Sequence, residues 1–120
     1  VSSKTLDEMQ AEVYVNNKAH GWFDEERSVG DDIAHLHAEV SEMWEAFRVT
    51  GLSDATGGKM TATDMPNEFV MKPEGFGSEV ADVFIRLLDT CERRGIDLQF
   101  EYERKMAYNR TRPYKHGKNL

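Results

Sequence analysis

The chain has 120 residues, 22 of them acidic and 15 basic, giving a formal net charge of -7 with 39% hydrophobic and 31% charged residues. That length fits one domain spanning residues 1–120, and a chain so short leaves much of its surface exposed unless copies associate. The acidic excess repels a phosphate backbone, so no nucleic-acid polymer is expected as a partner. A small phosphorylated ligand stays admissible, because divalent cations held by carboxylates reverse the local charge. Cys91 is the single cysteine, which rules out an internal disulfide and fits a reducing compartment. With no apolar run long enough for a membrane span or a secretory signal, the expected location is cytoplasmic and no membrane partner is expected.

In chain order, Leu6, Met9, Val13 and Tyr14 recur at helical intervals and predict a first helix from Leu6 to Lys18, capped by Thr5 or Ser3. The aromatic pair Trp22 and Phe23 follows in a break, where it either caps the core or walls a pocket. A second helix should start between Ser28 and Asp32 and reach about Val49. Its apolar stripe would be Ile33, Leu36, Val40, Met43, Trp44 and Phe47. Residues 51–77 carry Gly51, Gly57, Gly58, Pro66, Pro73 and Gly75 and read as a long loop or insertion, with a short strand from Glu68 to Met71.

The third helix is expected from Ser78 to Arg94, with Val80, Val83, Phe84, Leu87, Leu88 and Cys91 on one side and Ile85 roughly opposite, implying burial on more than one face. Gly95 should stop it, and Asp97 should cap a fourth helix reaching Asn109 or Arg110. Residues 111–120 form a basic tail, non-helical from Pro113 onward. The sum is an all-α, four-helix bundle-like domain with a long loop between its second and third helices.

Two acidic pairs stand out on this framework. Glu39 and Glu42 lie three apart at the border of the second helix's apolar stripe, and Glu79 and Asp82 repeat that spacing on the third helix. If the two stripes pack antiparallel, four carboxylates meet at one edge, and cations would have to offset their repulsion. Oxygen ligands without histidine suit Mg²⁺, with Mn²⁺ as a substitute, rather than zinc. Glu45 continues the series further toward solvent. Such pairs also arise by chance on solvated helix faces in an acidic chain. The added weight comes from Lys105 and Asn109, four apart on the fourth helix and on the same face as Leu98 and Tyr102, which should point inward. An inward lysine calls for an anion such as a phosphate, or else it snorkels to solvent or pairs with Glu101.

The strings HAEVSEMWEAFR at 37–48 and EVADVFIRLLD at 79–89, followed by Lys105, Asn109 and the Arg112-Pro113 ending, resemble the MazG-like all-helical nucleotide pyrophosphohydrolases. The likeness runs from about Lys18 to Lys118, apart from the region between Gly51 and Glu74. It implies hydrolysis of a nucleoside or deoxynucleoside triphosphate to the monophosphate and pyrophosphate, with Mg²⁺ on Glu39, Glu42, Glu79 and Asp82. It also implies assembly as a homodimer or homotetramer. By this likeness Lys105 and Asn109 grip phosphates and sugar or base, and Arg112 and Lys115 add positive charge over the phosphates. Trp22 is a candidate to stack on the base. Metal-activated water would be the nucleophile, with Glu42 or Glu45 taking the proton and Glu39 completing the catalytic carboxylates. The interval between the two acidic motifs is longer than this family leads one to expect.

Other chemistries fit less well. A di-iron bundle normally carries Glu-x-x-His pairs, and no glutamate here has histidine three positions on; His35 and His37 read as a surface residue and a core-edge residue. Cys91 falls in an apolar stripe, where inert packing is the default. The non-enzymatic alternative is a helical module that binds nucleotide or a partner protein without turnover.

Overall fold

The computed structural model describes residues 3–22, 25–63 and 70–117. These residues form four helices, α1 (Leu6–Ala19), α2 (Val29–Thr50), α3 (Phe76–Arg93) and α4 (Leu98–Thr111). They also form two short strands, β1 (Met60–Ala62) and β2 (Met71–Pro73), and a final 3-10 turn, Tyr114–Gly117. The protein is therefore mostly helical, with one small sheet. No described helix is long and apolar enough to cross a membrane. The chain divides into two compact units, one made of residues up to Trp22 and from Leu88 onward, the other of the stretch between them up to Leu87.

In the first unit, α1 starts where Thr5 closes a reciprocal cap: its Oγ1 accepts from the Glu8 amide at 3.1 Å, and Glu8 Oε1 accepts from the Thr5 amide at 3.0 Å. α3 stops at Gly95, whose φ of 68° suits a residue without a side chain, and the Ile96 amide turns back to the Cys91 carbonyl at 2.9 Å. Asp97 then caps α4, its Oδ1 accepting from the Phe100 amide at 3.0 Å. Val13, Leu88 and Cys91 are the fully buried apolar side chains among the described residues. Around them runs a polar frame. Gln10 Nε2 donates to Glu92 Oε2 at 2.9 Å and to the Ile96 carbonyl at 3.0 Å. Buried Asp89 accepts from Asn17 at 2.7 Å and from Arg93 at 2.9 Å, and Arg93 also donates to the Trp22 carbonyl. Burial and the charge of Glu92 push the Cys91 thiol pKa up, so it stays a packing residue.

Two expectations for this unit change. Tyr102 and Lys105 are exposed, while Leu98, Gln99, Glu101, Met106 and Asn109 are the half-buried positions of α4. The inward stripe is rotated, and Gln99 on the covered side meets α1, its Oε1 accepting from the Asp7 amide at 3.2 Å. The tail is also not wholly irregular, since Tyr114–Gly117 closes a 3-10 turn after Pro113, a conformation compatible with a preceding proline.

In the second unit, Ser28 and Asp31 form the reciprocal cap of α2, at 3.0 and 3.2 Å, and Gly51 ends it, its amide reaching the Phe47 carbonyl at 2.7 Å. Asp32 is buried in the first turn with Arg27 4.0 Å away. Most of the predicted apolar stripe of α2 is not buried: Ile33, Val40, Trp44 and Phe47 are exposed, Trp44 by 57%. Leu36, Glu39, Met43 and Ala46 are the half-buried positions, so the covered face keeps Leu36 and Met43 of that stripe but is rotated toward Glu39 and Ala46. Ile85, Val80 and Phe84 are likewise exposed, so α3 is not enclosed on several faces. Trp44 and Phe47 stack at 5.6 Å, and Phe47 meets Phe76 edge-on at 6.0 Å.

The 51–77 stretch is more than a loop. β1 and β2 pair antiparallel, with Met60 opposite Pro73, Thr61 opposite Lys72 and Ala62 opposite Met71. The strand expected at Glu68–Met71 begins instead at Met71 and runs to Pro73; positions 68 and 69 lie outside the described residues, as does Phe23. The turns after α2 dock onto the start of α3: the Gly77 amide donates to the Asp54 carbonyl at 3.0 Å. A Cβ at Gly77 would sit 2.1 Å from the Ala55 carbonyl oxygen, so only glycine permits this approach.

Candidate metal centre

Glu39 and Glu42, three residues apart, project from one face of α2, and Glu79 lies in the first turn of α3. One carboxylate oxygen from each of Glu39, Glu42 and Glu79 lies within 4.8 Å of the other two. At that separation two unit charges repel by about 3 kcal/mol in an effective dielectric of about 20. Glu79 responds most. Burial first, then the charges of Asp82, Glu42 and Glu39, and a hydrogen bond with Asp82, raise its pKa from its ordinary value. Its Oε2 is shielded from solvent and has no hydrogen-bond partner among the described residues. A buried acceptor left that way is costly unless something positive meets it.

Asp82, the fourth predicted ligand, stands beside this group rather than within it. Its carboxyl is pushed up by burial and by the charge of Glu39, partly offset by a hydrogen bond with Glu79 and by the charges of Lys72 and Arg86. Arg86, one turn further along α3, holds Glu39 in a half-buried ion pair, Nη2 to Oε1, at 3.3 Å. Glu45 is solvent-facing and pairs with Arg48 at 3.1 Å.

The donor set suits a hard cation. Mg²⁺ takes oxygens at about 2.0–2.1 Å, so ligands on opposite sides of it stand about 4.2 Å apart. Neighbouring octahedral ligands stand closer, about 3 Å apart, so three oxygens within 4.8 Å of one another would draw together by side-chain rotation to hold it. A cavity of about 410 Å³ opens beside the triad. Its walls come from Glu42, Glu45, Ala46 and Val49 of α2, from Asp54 in the following turns, from Lys59 and Glu74 flanking the hairpin, and from Glu79. That volume lies in the range of small-molecule sites.

The other predicted binding residues belong to the first unit. Lys105 Nζ lies 5.8 Å from the centre of the Tyr108 ring and the Arg112 guanidinium 5.5 Å from the same ring. The Asn109 carbonyl accepts from the Arg112 amide at 3.2 Å. Lys115 stands 5.6 Å over Tyr114, and Trp22 is half exposed. His35 and His37 are both exposed, so neither edges a core; His35 Nδ1 is 3.1 Å from Arg27. Arg86, Lys59 and Lys72 are the site-facing cations that sequence reasoning passed over. Spacing from Asp82 to Arg86, one helical turn, was the one available signal, and it pointed only to Arg86.

No protein-family model, curated protein or solved structure matches this chain.

Proposed function

We propose that the protein is a MazG-like nucleotide pyrophosphohydrolase, cleaving a nucleoside or deoxynucleoside triphosphate to the monophosphate and pyrophosphate with Mg²⁺ held by Glu39, Glu42 and Glu79 and flanked by Asp82. The observation that carries this reading is the convergence of three carboxylates around a shielded Glu79 oxygen that no donor satisfies. Mg²⁺, or Mn²⁺ in its place, would screen the phosphates and supply acidified water. Arg86 holds Glu39 in position through their ion pair, and Glu79 and Asp82, both with raised pKa, would release protons when a cation binds. Glu45, on the cavity wall and open to solvent, is placed to take the proton of the attacking water. The bond broken lies between the α-phosphorus and its bridge to the β-phosphate; water supplies the new oxygen, and one proton is released. Lys105, Asn109, Arg112, Lys115 and Trp22 are retained as proposed contacts to the nucleotide on the strength of the family likeness.

The exposed stripe Ile33, Val40, Trp44 and Phe47, together with few fully buried apolar side chains among the described residues, supports a homodimer or homotetramer that covers it. The single, buried Cys91 fits a reducing, cytoplasmic setting. A non-catalytic interaction module is the second reading, favoured by the same exposed stripe. Turnover separates the two. A panel of common and modified ribo- and deoxyribonucleoside triphosphates with Mg²⁺ should yield pyrophosphate from at least one. No release from any, with nucleotide binding unchanged in Glu39→Ala, would refute the enzyme.

A further inference from the structure

We propose that the segment between α2 and α3 delivers the cations that meet the phosphate chain, with Lys59 as the direct contact and Lys72 beside it, an assignment that rests on reading the carboxylate triad as a metal site for a triphosphate. Three carboxylates with one divalent ion still carry net negative charge, so a polyanion needs further positive charge nearby. Arg86 is engaged with Glu39, and Lys105 is exposed over the Tyr108 ring.

Among the described residues, Lys59 is the one cation lining the cavity whose walls include Glu42 and Glu79. Although Glu45, Asp54 and Glu74 line the same cavity, its ammonium has no hydrogen bond or ion pair among the described residues. Its three donors are therefore open to a ligand. Its backbone is held in place: the Glu74 amide donates to the Lys59 carbonyl at 2.9 Å, one step beyond the Met60–Pro73 pair. The same segment is clamped to the start of α3 through Asp54 and Gly77, which fixes it relative to Glu79. Lys72, two residues before Glu74 and 3.9 Å from its carboxylate, adds a second positive charge that Asp82 feels. The insertion thus adds to the cavity wall a cation that α2 and α3 do not supply there among the described residues.

The experiment uses the full chain, with inorganic tripolyphosphate as the probe and calorimetry as the readout. Wild type, Lys59→Gln, Lys59→Arg and Lys72→Gln are titrated with Mn²⁺ alone, and then with tripolyphosphate in the presence of Mg²⁺. Lys59→Gln should leave Mn²⁺ affinity within about twofold or tighten it, while weakening tripolyphosphate binding by about tenfold or more, the scale of a lost charge-assisted contact. Lys59→Arg should restore most of the binding, and Lys72→Gln should weaken it by about two- to fivefold. Tripolyphosphate affinity unchanged in Lys59→Gln would overturn the lysine assignment and leave the proposed function standing. No Mg²⁺-dependent tripolyphosphate binding by wild type would overturn both.

Discussion

Replacing Glu79 with glutamine should make the metal-free protein more stable, the reverse of what most changes at half-buried positions do. Glu79 shares a 4.8 Å cluster with Glu39 and Glu42, and each close pair repels by about 3 kcal/mol at an effective dielectric of about 20. Glu42 is exposed and Glu79 already holds its proton more tightly than usual, so most of that repulsion is screened or avoided. The relief left on neutralising Glu79 is about 1–2 kcal/mol at pH 8 and low salt, or several degrees in Tm. The pH dependence follows from the direction of the shift. A carboxyl whose pKa is raised on folding binds its proton better in the native state, so it lowers stability as pH climbs from about 4.3, the unfolded value, through the folded pKa. The gain from Glu79→Gln should therefore shrink toward pH 4, where wild type is protonated too. Urea unfolding followed by circular dichroism in EDTA, at pH 4.5 and pH 8, measures both. A variant equal to or weaker than wild type at pH 8 would refute the crowding on which the site rests.

Asp89→Ala should destabilise the fold by about 3 kcal/mol, because it removes the buried carboxylate that pairs with the largely buried Arg93 and accepts from Asn17; a loss under 1 kcal/mol in the same urea experiment would argue against a structural ion pair. Gly77→Ala should cost about 1–3 kcal/mol and disturb Mg²⁺-dependent turnover, since its Cβ would lie 2.1 Å from the Ala55 carbonyl oxygen; a variant with unchanged Tm would contradict the docked loop. Trp44→Asp should lower the mass seen by analytical ultracentrifugation toward 13.8 kDa, as a charge on the exposed stripe opposes its burial between copies; the same sedimentation as wild type would remove the stripe from the interface.

Helix ends were legible because their signals are local. Thr5, Ser28, Gly51, Gly95 and Asp97 each act through hydrogen bonds to the nearest turn, so sequence alone places them within a residue or two. The acidic spacing was legible for the same reason, since three residues along a helix put two side chains on one face wherever that helix packs. What lay beyond local chemistry was read less well. The apolar run from Ile33 to Phe47 looks like a core face, yet burial depends on a partner surface, and the described chain offers none to Trp44. Periodicity alone predicts an inward Lys105, whereas it is exposed and Gln99 is the α4 side chain that meets α1. The hairpin was the hardest feature. Three-residue strands containing Met, Lys and Pro carry almost no alternation and little β-propensity, so the lysines they position had no visible link to the carboxylates.

Mn²⁺ titration of the full chain, read by the paramagnetic resonance of the free ion, tests the metal centre most directly. Wild type should withdraw Mn²⁺ from solution with an affinity that rises with pH as Glu79 and Asp82 release protons, and Glu39→Gln, Glu42→Gln and Glu79→Gln should each weaken it by about tenfold or more. Free Mn²⁺ unchanged by stoichiometric protein at pH 8, or equal binding by wild type and all three variants, would contradict the account.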